Sequence, residues 1–365
     1  MRTRFSSAAF ADAPRHDNTD ETKKGRSPMN EQPLVSVIIP NYNYASTIGE
    51  CIRAAKNQTY PTVEVIVADD ASTDDSVAIA RALDVTVLQV PVNSGVSTAR
   101  NLGARHAKGE VLFFVDSDVA LDSDAVERAV DHLREEPRLG AICGMYRAEP
   151  MFPDSLVKRY RAIQQYVWFC EVEGAIPGLH SALFAIKKET FLEIGEFNDR
   201  LRWTEEQDYG FRLNARYEVK AVPTIRGRHD HDGTLRVMLT KVFNRTRLGA
   251  PNWLRLNKLP GGAGTGYRAL GSAVLLAAVI ALVSSVLLGP WALLAAAVLT
   301  GIGIGLDKRT YGYAYRHHGI LFGLRFTVLH LLVTLTSAVA AGIGILQGLL
   351  FPRMTQRLYR VENPA

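Results

Sequence analysis

Asp116-Ser117-Asp118 sets two carboxylates two positions apart, directly after the apolar run Val111-Leu-Phe-Phe-Val115. A run of that kind reads as a buried strand, so both acids stand at its exposed end. Hard oxygen donors in that arrangement suit Mg²⁺ or Mn²⁺. A divalent ion held there bridges a diphosphate and neutralises charge on a leaving group. Asp69 and Asp70 form a second acidic pair, behind Val63-Glu-Val-Ile-Val67. His229-Asp-His231 places two imidazoles at i and i+2, on one face if the segment is a strand. Glu205-Glu206-Gln207-Asp208 is a third acidic cluster, of a kind the dipole also favours in a first helical turn.

The elements that must position these groups alternate. Val35-Ser-Val-Ile-Ile39 is a β-rich run stopped by Pro40-Asn41-Tyr42-Asn43. Helices are expected over roughly 45–57, 72–83, 96–107 and 122–135, with strands at 63–67, 85–90 and 111–115. That order implies an α/β fold, a mostly parallel sheet flanked by helices. In such sheets ligands bind beyond the carboxyl ends of the strands. Pro40 to Asn43, Asp69-Asp70 and Asp116 to Asp118 all lie at such ends. An acid at one strand end can equally cap the next helix; two acidic clusters at equivalent ends point to a site. No Gly-x-Gly-x-x-Gly follows the first strand, which weighs against NAD or FAD, and no Gly-x-x-x-x-Gly-Lys-Ser/Thr occurs. The pattern points to a nucleotide diphosphate held through metal rather than by a glycine loop.

The chain of 365 residues is long enough for two domains. Charged residues at 22% and apolar residues at 47% exclude wholesale disorder. Three Cys exclude a disulfide scaffold. The net charge of +5 gives no argument for a nucleic-acid partner. Residues 1–32 are polar, hold no signal-peptide-like stretch and read as a disordered tail, with Met29 an alternative start.

From Ala269 to Leu306 no residue is charged, and none is from Phe326 to Pro352. The first run fits two spans, about 269–288 and 290–306, with a turn at Gly289-Pro290. The second, about 326–350, reads as one tilted span or a re-entrant hairpin. Lys and Arg before the first span, and Lys308, Arg309, Arg316 and Arg325 in the loop expected after the second, put the preceding domain in the cytoplasm, at an inner or plasma membrane. The sequence therefore divides into the tail 1–32, a soluble domain 33–232, an amphipathic segment and Gly-rich linker 233–267, a membrane region 268–352 and a tail 353–365. Thr234 to Arg247 mixes apolar and basic residues and reads as a helix lying on anionic lipid, with packing against the domain as the alternative.

Several ordered strings carry a family resemblance. Val35-Ser-Val-Ile-Ile-Pro-Asn-Tyr-Asn43, Val67-Ala-Asp-Asp-Ala-Ser-Thr-Asp74, Asn93-Ser-Gly-Val-Ser-Thr-Ala-Arg-Asn101 and Gly109-Glu-Val-Leu-Phe-Phe-Val-Asp-Ser-Asp118 resemble family 2 glycosyltransferases of the GT-A fold. Phe191-Leu-Glu-Ile-Gly-Glu-Phe-Asn198 followed by Thr204-Glu-Glu-Gln-Asp208 does too. The resemblance covers about residues 33–240. It implies that Asp69 or Asp70 contacts the base of a sugar nucleotide, near Pro40 and Tyr42. Asp116, Ser117 and Asp118 match the metal and nucleotide motif, with Asp118 as direct ligand, and Arg100 matches a basic position facing the nucleotide. His231 matches a histidine that helps bind metal or the leaving diphosphate. The family has Glu-Asp before x-Asp near the acceptor, the Asp acting as general base. Here Glu206 stands in its place, and the choice among Glu205, Glu206 and Asp208 stays open. Gly178-Leu-His180 and Trp203 lie where the family contacts sugar or acceptor.

The implied activity is inverting transfer of a sugar from a UDP- or GDP-sugar to a lipid-linked or glycan hydroxyl, with Mg²⁺ or Mn²⁺. The alternatives are a processive polysaccharide synthase, whose Gln-x-x-Arg-Trp string is absent, and a non-catalytic membrane scaffold that binds nucleotide sugar.

Overall fold

The computed structural model describes residues 32–171, 174–176, 178–201, 205–256 and 265–351. The expectations for the two tails, for Trp203 and for most of the Gly-rich linker fall outside these residues.

The first half alternates as the pattern requires. The strands are β1 (Val35–Asn41), β2 (Val63–Asp69), β3 (Thr86–Gln89) and β4 (Val111–Val115). Between them run α1 (Ile48–Lys56), α2 (Ser76–Ala82) and α3 (Val96–His106). β1 and β4 are buried along their whole length, which explains why both read as unbroken apolar runs rather than as alternation. The chain continues through β5 (Val119–Leu121), α4 (Ala125–Glu135), β6 (Leu139–Tyr146), α5 (Leu156–Phe169), β7 (Gly174–Ala175), β8 (Leu183–Lys187), α6 (Lys188–Ile194), α7 (Glu205–Asn214) and β9 (Glu218–His229). The sheet order is β3-β2-β1-β4-β8-β6-β9-β5, with β7 on β9. β1 is parallel to β2 and β4, while β8 runs antiparallel to β4 and β6. This is a GT-A-like mixed sheet with flanking helices.

Register makes the site. Asn41 pairs with Asp69 across β1 and β2, and Val35 pairs with both Val63 and Val111. The carboxyl ends of the three strands therefore finish at one edge. β5 pairs antiparallel with β9, Val119 opposite His229, which folds the His229 segment back onto Asp118. An aromatic core fixes α7: Tyr209 stacks on Phe197 at 4.2 Å, and Phe114 stacks on Phe184 at 4.7 Å. Apolar burial of that kind, about 1.5–3 kcal/mol per large side chain, locks the acidic first turn of α7 beside β4.

The C-terminal region is helical. α8 spans Leu235–Leu256, α9 Thr265–Leu288, α10 Pro290–Leu306 and α11 Lys308–Leu350. Gly289 takes φ +72° and Pro290 opens α10, so the expected turn is where the sequence puts it. Two helices, Gly266–Leu288 and Lys308–Leu350, are long and apolar enough to cross a membrane; α10 is shorter. Val286, Leu287 and Trp291 at the hairpin tip are 79–89% exposed.

Two sequence expectations change here. The charged stretch before Phe326 is not a loop: α11 begins at Lys308 and is interrupted at Gly319, where φ is +79°. Beyond that break it runs unbroken to Leu350, so the last apolar run is one helix and not a re-entrant hairpin. The apolar side of α8 is also already used. Met238, with Leu235, Leu239 and Val242, packs into a cluster with Tyr160 and Ile163 of α5 and Phe326 and Leu329 of α11.

α5 is thereby shared. Its Tyr160 hydroxyl lies 3.0 Å from His330 Nδ1, whose Nε2 lies 3.0 Å from Asp307. Trp168 of the same helix donates to Asp307 at 3.4 Å, and Arg268 of α9 pairs with Glu171 at 2.5 Å.

Candidate active site

A cleft of about 530 Å³ opens at the carboxyl ends of β1, β2 and β4. Pro40, Tyr42, Asp70, Asp116, Ser117 and Asp118 line it. Asp69 does not. It is fully buried, and its carboxylate accepts from Asn41 Nδ2 at 2.7 Å and from the Ser72 amide at 2.9 Å. Asp70 accepts from the amides of Ser94 and Gly95, each at 2.8 Å, and so ties the Asn93-Ser94-Gly95 turn to the cleft wall. Gly95 sits at φ +100°, a conformation that costs glycine nothing. Tyr42 is 44% exposed at the rim.

Arg100 is the hinge of the site's electrostatics. It is 2% exposed and donates to Asp116 Oδ1 at 2.9 Å. Its other terminal nitrogen stands 3.9 Å from Glu205 Oε1. One buried guanidinium therefore links the acidic motif after β4 to the first turn of α7.

The three acids of that turn separate by partner. Glu205 faces Arg100. Asp208 is held by Arg212 at 3.0 Å, and Arg212 also donates to the carbonyls of Ile194 and Glu196. Glu206 receives only the Ser181 hydroxyl, at 3.1 Å among the described residues. Burial, and then the neighbouring charge of Glu205, raise the Glu206 carboxyl above the ordinary carboxylate range.

Asp118 is 9% exposed and its Oδ1 has no hydrogen-bond partner among the described residues. Burial and the charge of Asp116 push its carboxyl up to about 8. His229 Nε2 stands 3.5 Å away. The His229 and His231 rings are 4.3 Å apart, and Tyr146 lies 4.7 Å from His229. His231 is 3% exposed, with Nε2 unpartnered among the described residues. Burial holds both imidazoles neutral, His229 down to about 4. Neutral imidazole nitrogen and unsatisfied carboxylate oxygen are the right donors for a divalent cation. Among the described residues no three His, Cys, Asp or Glu side chains converge to form a cage by themselves.

Sequence reasoning weighed His231 above His229, yet His229 is the imidazole nearest Asp118. It also passed over Tyr44, whose hydroxyl feels the charge of Asp118 and is raised by it, and Ser181. Their shared signal is pairing between distant segments, which no local pattern reports. His180 packs its ring on Phe169 at 4.7 Å, and burial lowers it to about 4.

Known proteins share this fold. Residues 36–192 match the family described as glycosyl transferase family 2. The chain carries a family 2 glycosyltransferase domain. An uncharacterized glycosyltransferase of Haemophilus influenzae is 27% identical over 186 residues, 49% of this chain and 62% of that one. The hyaluronan synthase of Pasteurella multocida is 35% identical over 121 residues, 32% of this chain and 12% of the synthase. The chain thus spans less than two thirds of these curated glycosyltransferases. A mannosyltransferase from Pyrobaculum calidifontis, solved with GDP-Man and Mn²⁺, has the same fold, with a TM-score of 0.53 at 20% identity. That match covers 89% of this chain and 91% of the mannosyltransferase.

Proposed function

We propose that this chain is a membrane-anchored glycosyltransferase that moves a sugar from a nucleotide-diphosphate sugar to a hydroxyl acceptor with inversion. The carrying observation is Arg100, which joins Asp116 to the first turn of α7 and so supports placing donor and general base in one cleft.

In this reading the nucleotide lies along Pro40, Tyr42 and Asp70, and its diphosphate lies at Asp116 to Asp118. Asp118 and His229, the imidazole nearest it, would hold Mg²⁺ or Mn²⁺, which would supply charge neutralisation for the departing diphosphate. Asp69 shapes the end of β1 and does not touch the base. Glu206 accepts the acceptor's hydroxyl proton while that oxygen attacks the anomeric carbon. The bond from that carbon to the diphosphate breaks on the opposite side, and its electron pair leaves with the nucleotide. Glu205 and Asp208, spent on Arg100 and Arg212, position rather than react.

The α9–α10 hairpin supports a membrane anchor. Arg268, Lys308 and Arg309 stand at the end of the hairpin nearest Glu171, and basic residues there favour the cytoplasmic side. A lipid-linked or envelope glycan acceptor fits that setting. The polysaccharide synthase among the relatives favours a second reading, processive polymerisation; product chain length separates the two.

The test is nucleotide release from the purified full chain in detergent, across UDP-, GDP-, dTDP- and CDP-sugars with Mn²⁺, Mg²⁺ or EDTA. Metal-dependent release from one donor is expected. Neither release nor nucleotide binding with any donor would overturn the reading.

A further inference from the structure

α11 does not run straight. Gly319 breaks it at φ +79°, and the arms on either side fold together. Asp307, just before the first arm, meets His330 of the second at 3.0 Å. The Tyr315 and Thr327 hydroxyls stand 3.2 Å apart, and the Tyr311 ring lies 4.9 Å from that of His330. In a straight helix Asp307 and His330 would be roughly 35 Å apart, at about 1.5 Å per residue. The first arm and the start of the second are therefore a helical hairpin, packed on Tyr160 and Tyr166 of α5. It returns the chain at His330 to the level where α10 ends. Only the part beyond His330 is left to cross a membrane.

That part has a companion. Leu329 and Val333 share a cluster with Met238 of α8, and Gly344 lies against the backbone carbonyl of Arg247. α8 and α11 thus run side by side in the same direction. Gly344 stands roughly 21 Å along the axis from His330, whereas a hydrocarbon core is about 30 Å thick. A crossing α11 would carry Arg247 past the midplane, with Lys241, Asn244 and Arg245 on the way. Charged side chains in hydrocarbon are costly and turn to a bundle interior or a water-filled cavity. Those of Arg236, Lys241 and Arg245 are instead exposed.

The surface of the pair points the same way. Leu332, Val339 and Leu346 form an exposed stripe on α11, while Val333, Ala340 and Gly344 are buried. An apolar stripe beside exposed basic residues is the make-up of an element lying in the interface plane. Arg353, Arg357 and Arg360 follow α11 in the sequence. Basic residues favour the cytoplasmic side, and a third crossing would put them on the other.

We propose that α11 does not cross the membrane. Beyond His330 it lies with α8 in the headgroup interface, on the catalytic domain's side, and only the α9–α10 hairpin penetrates. This goes beyond the transfer reaction and rests on the anchoring part of the proposed function alone. His231 leads into α8 within a few residues, so the pair sets how far the cleft stands from the lipid surface.

Sidedness and depth test it, with the full chain in sealed membrane vesicles of either orientation. Cys170 is exposed on the catalytic domain while Cys51 and Cys143 are buried, so an impermeant maleimide reads the catalytic side at Cys170. In a Cys170→Ser background, Leu350→Cys should label from that same side, and Trp291→Cys at the hairpin tip from the opposite one. Cys51 and Cys143 staying unlabelled marks a folded chain. A bimane on Val339→Cys, quenched by lipids labelled at different depths, should lie about 5–10 Å into the headgroup boundary. A crossing helix would place it near the midplane, about 15 Å into the hydrocarbon. Labelling of Leu350→Cys from the far side, or strongest quenching of Val339→Cys by the deepest label, overturns the proposal. If Leu350→Cys is masked from both sides, the depth of Val339→Cys decides. Labelling of Trp291→Cys from the catalytic side overturns the anchor itself. The glycosyl-transfer reading stands or falls separately, on nucleotide release from the donor panel.

Discussion

Ser181 donates a hydrogen bond to Glu206 across 3.1 Å, the one side-chain partner that carboxylate has among the described residues. Glu205 and Asp208, on the same turn, face Arg100 and Arg212. In the proposed reaction this makes Glu206 the base. Glu206→Gln should lower turnover by about 10²–10⁴-fold, the usual contribution of a positioned base, while nucleotide affinity stays within about twofold. Rapid-quench turnover beside equilibrium nucleotide binding checks it.

The same residue sets a pH limb. A base must be deprotonated, and burial with Glu205 nearby raises the Glu206 carboxyl. Activity should therefore fall on acidification while the pH is still above the ordinary carboxylate range near 4.3. The Ser181 bond favours the ionised form and opposes that rise. Ser181→Ala should move the acid limb of kcat/KM to higher pH still. A limb that stays put in Ser181→Ala would dissociate Glu206 from the rate.

Arg100 makes a separate prediction. Its removal leaves Asp116 and Glu205 without their shared cation in a site where Arg100 itself is 2% exposed. Breaking a fully buried pair costs about 3–5 kcal/mol. The Asp116 side chain is 30% exposed, so solvent recovers part of that. Arg100→Ala should cost about 2–3 kcal/mol in denaturant unfolding and weaken nucleotide binding as well. A Lys replacement keeps the charge but loses the fork that spans both acids.

Much of the donor edge was legible in the sequence. β4 has the bounds its apolar run gives, and Asp116 to Asp118 follows it where a parallel sheet puts ligands. The Gly289-Pro290 turn was equally plain, because both residues are local breakers. What escaped depended on long-range pairing. Only the antiparallel register of Val119 with His229 brings that imidazole to Asp118. The helical start of α11 at Lys308 was hidden by its own charges, which read as a loop between spans.

Asp118 carries the metal assignment, and its effects on binding and stability should part. Asp118→Asn should reduce Mn²⁺-dependent nucleotide affinity by at least the roughly 10–100-fold that outer-shell changes cost at metal sites. The substitution also removes the repulsion between Asp116 and Asp118 that burial sharpens. In EDTA the variant should be no less stable than the parent. Calorimetric titration of nucleotide with and without Mn²⁺, beside thermal melts in EDTA, reads both. Unchanged Mn²⁺ dependence would move the metal elsewhere.

The packing of α8 on α11 yields a prediction with its own control. A Cβ added at Gly344 would run into the backbone carbonyl of Arg247, whereas one added at Gly342 would meet nothing within 4 Å. In a helix interior alanine is favoured over glycine by about 1 kcal/mol. Overpacking against backbone costs about 1–3 kcal/mol. Gly344→Ala should therefore be destabilising on balance, and Gly342→Ala neutral or stabilising. Thermal unfolding of the full chain in detergent compares them directly. Equal melting temperatures for the two variants would mean that α8 does not rest on α11 at this point.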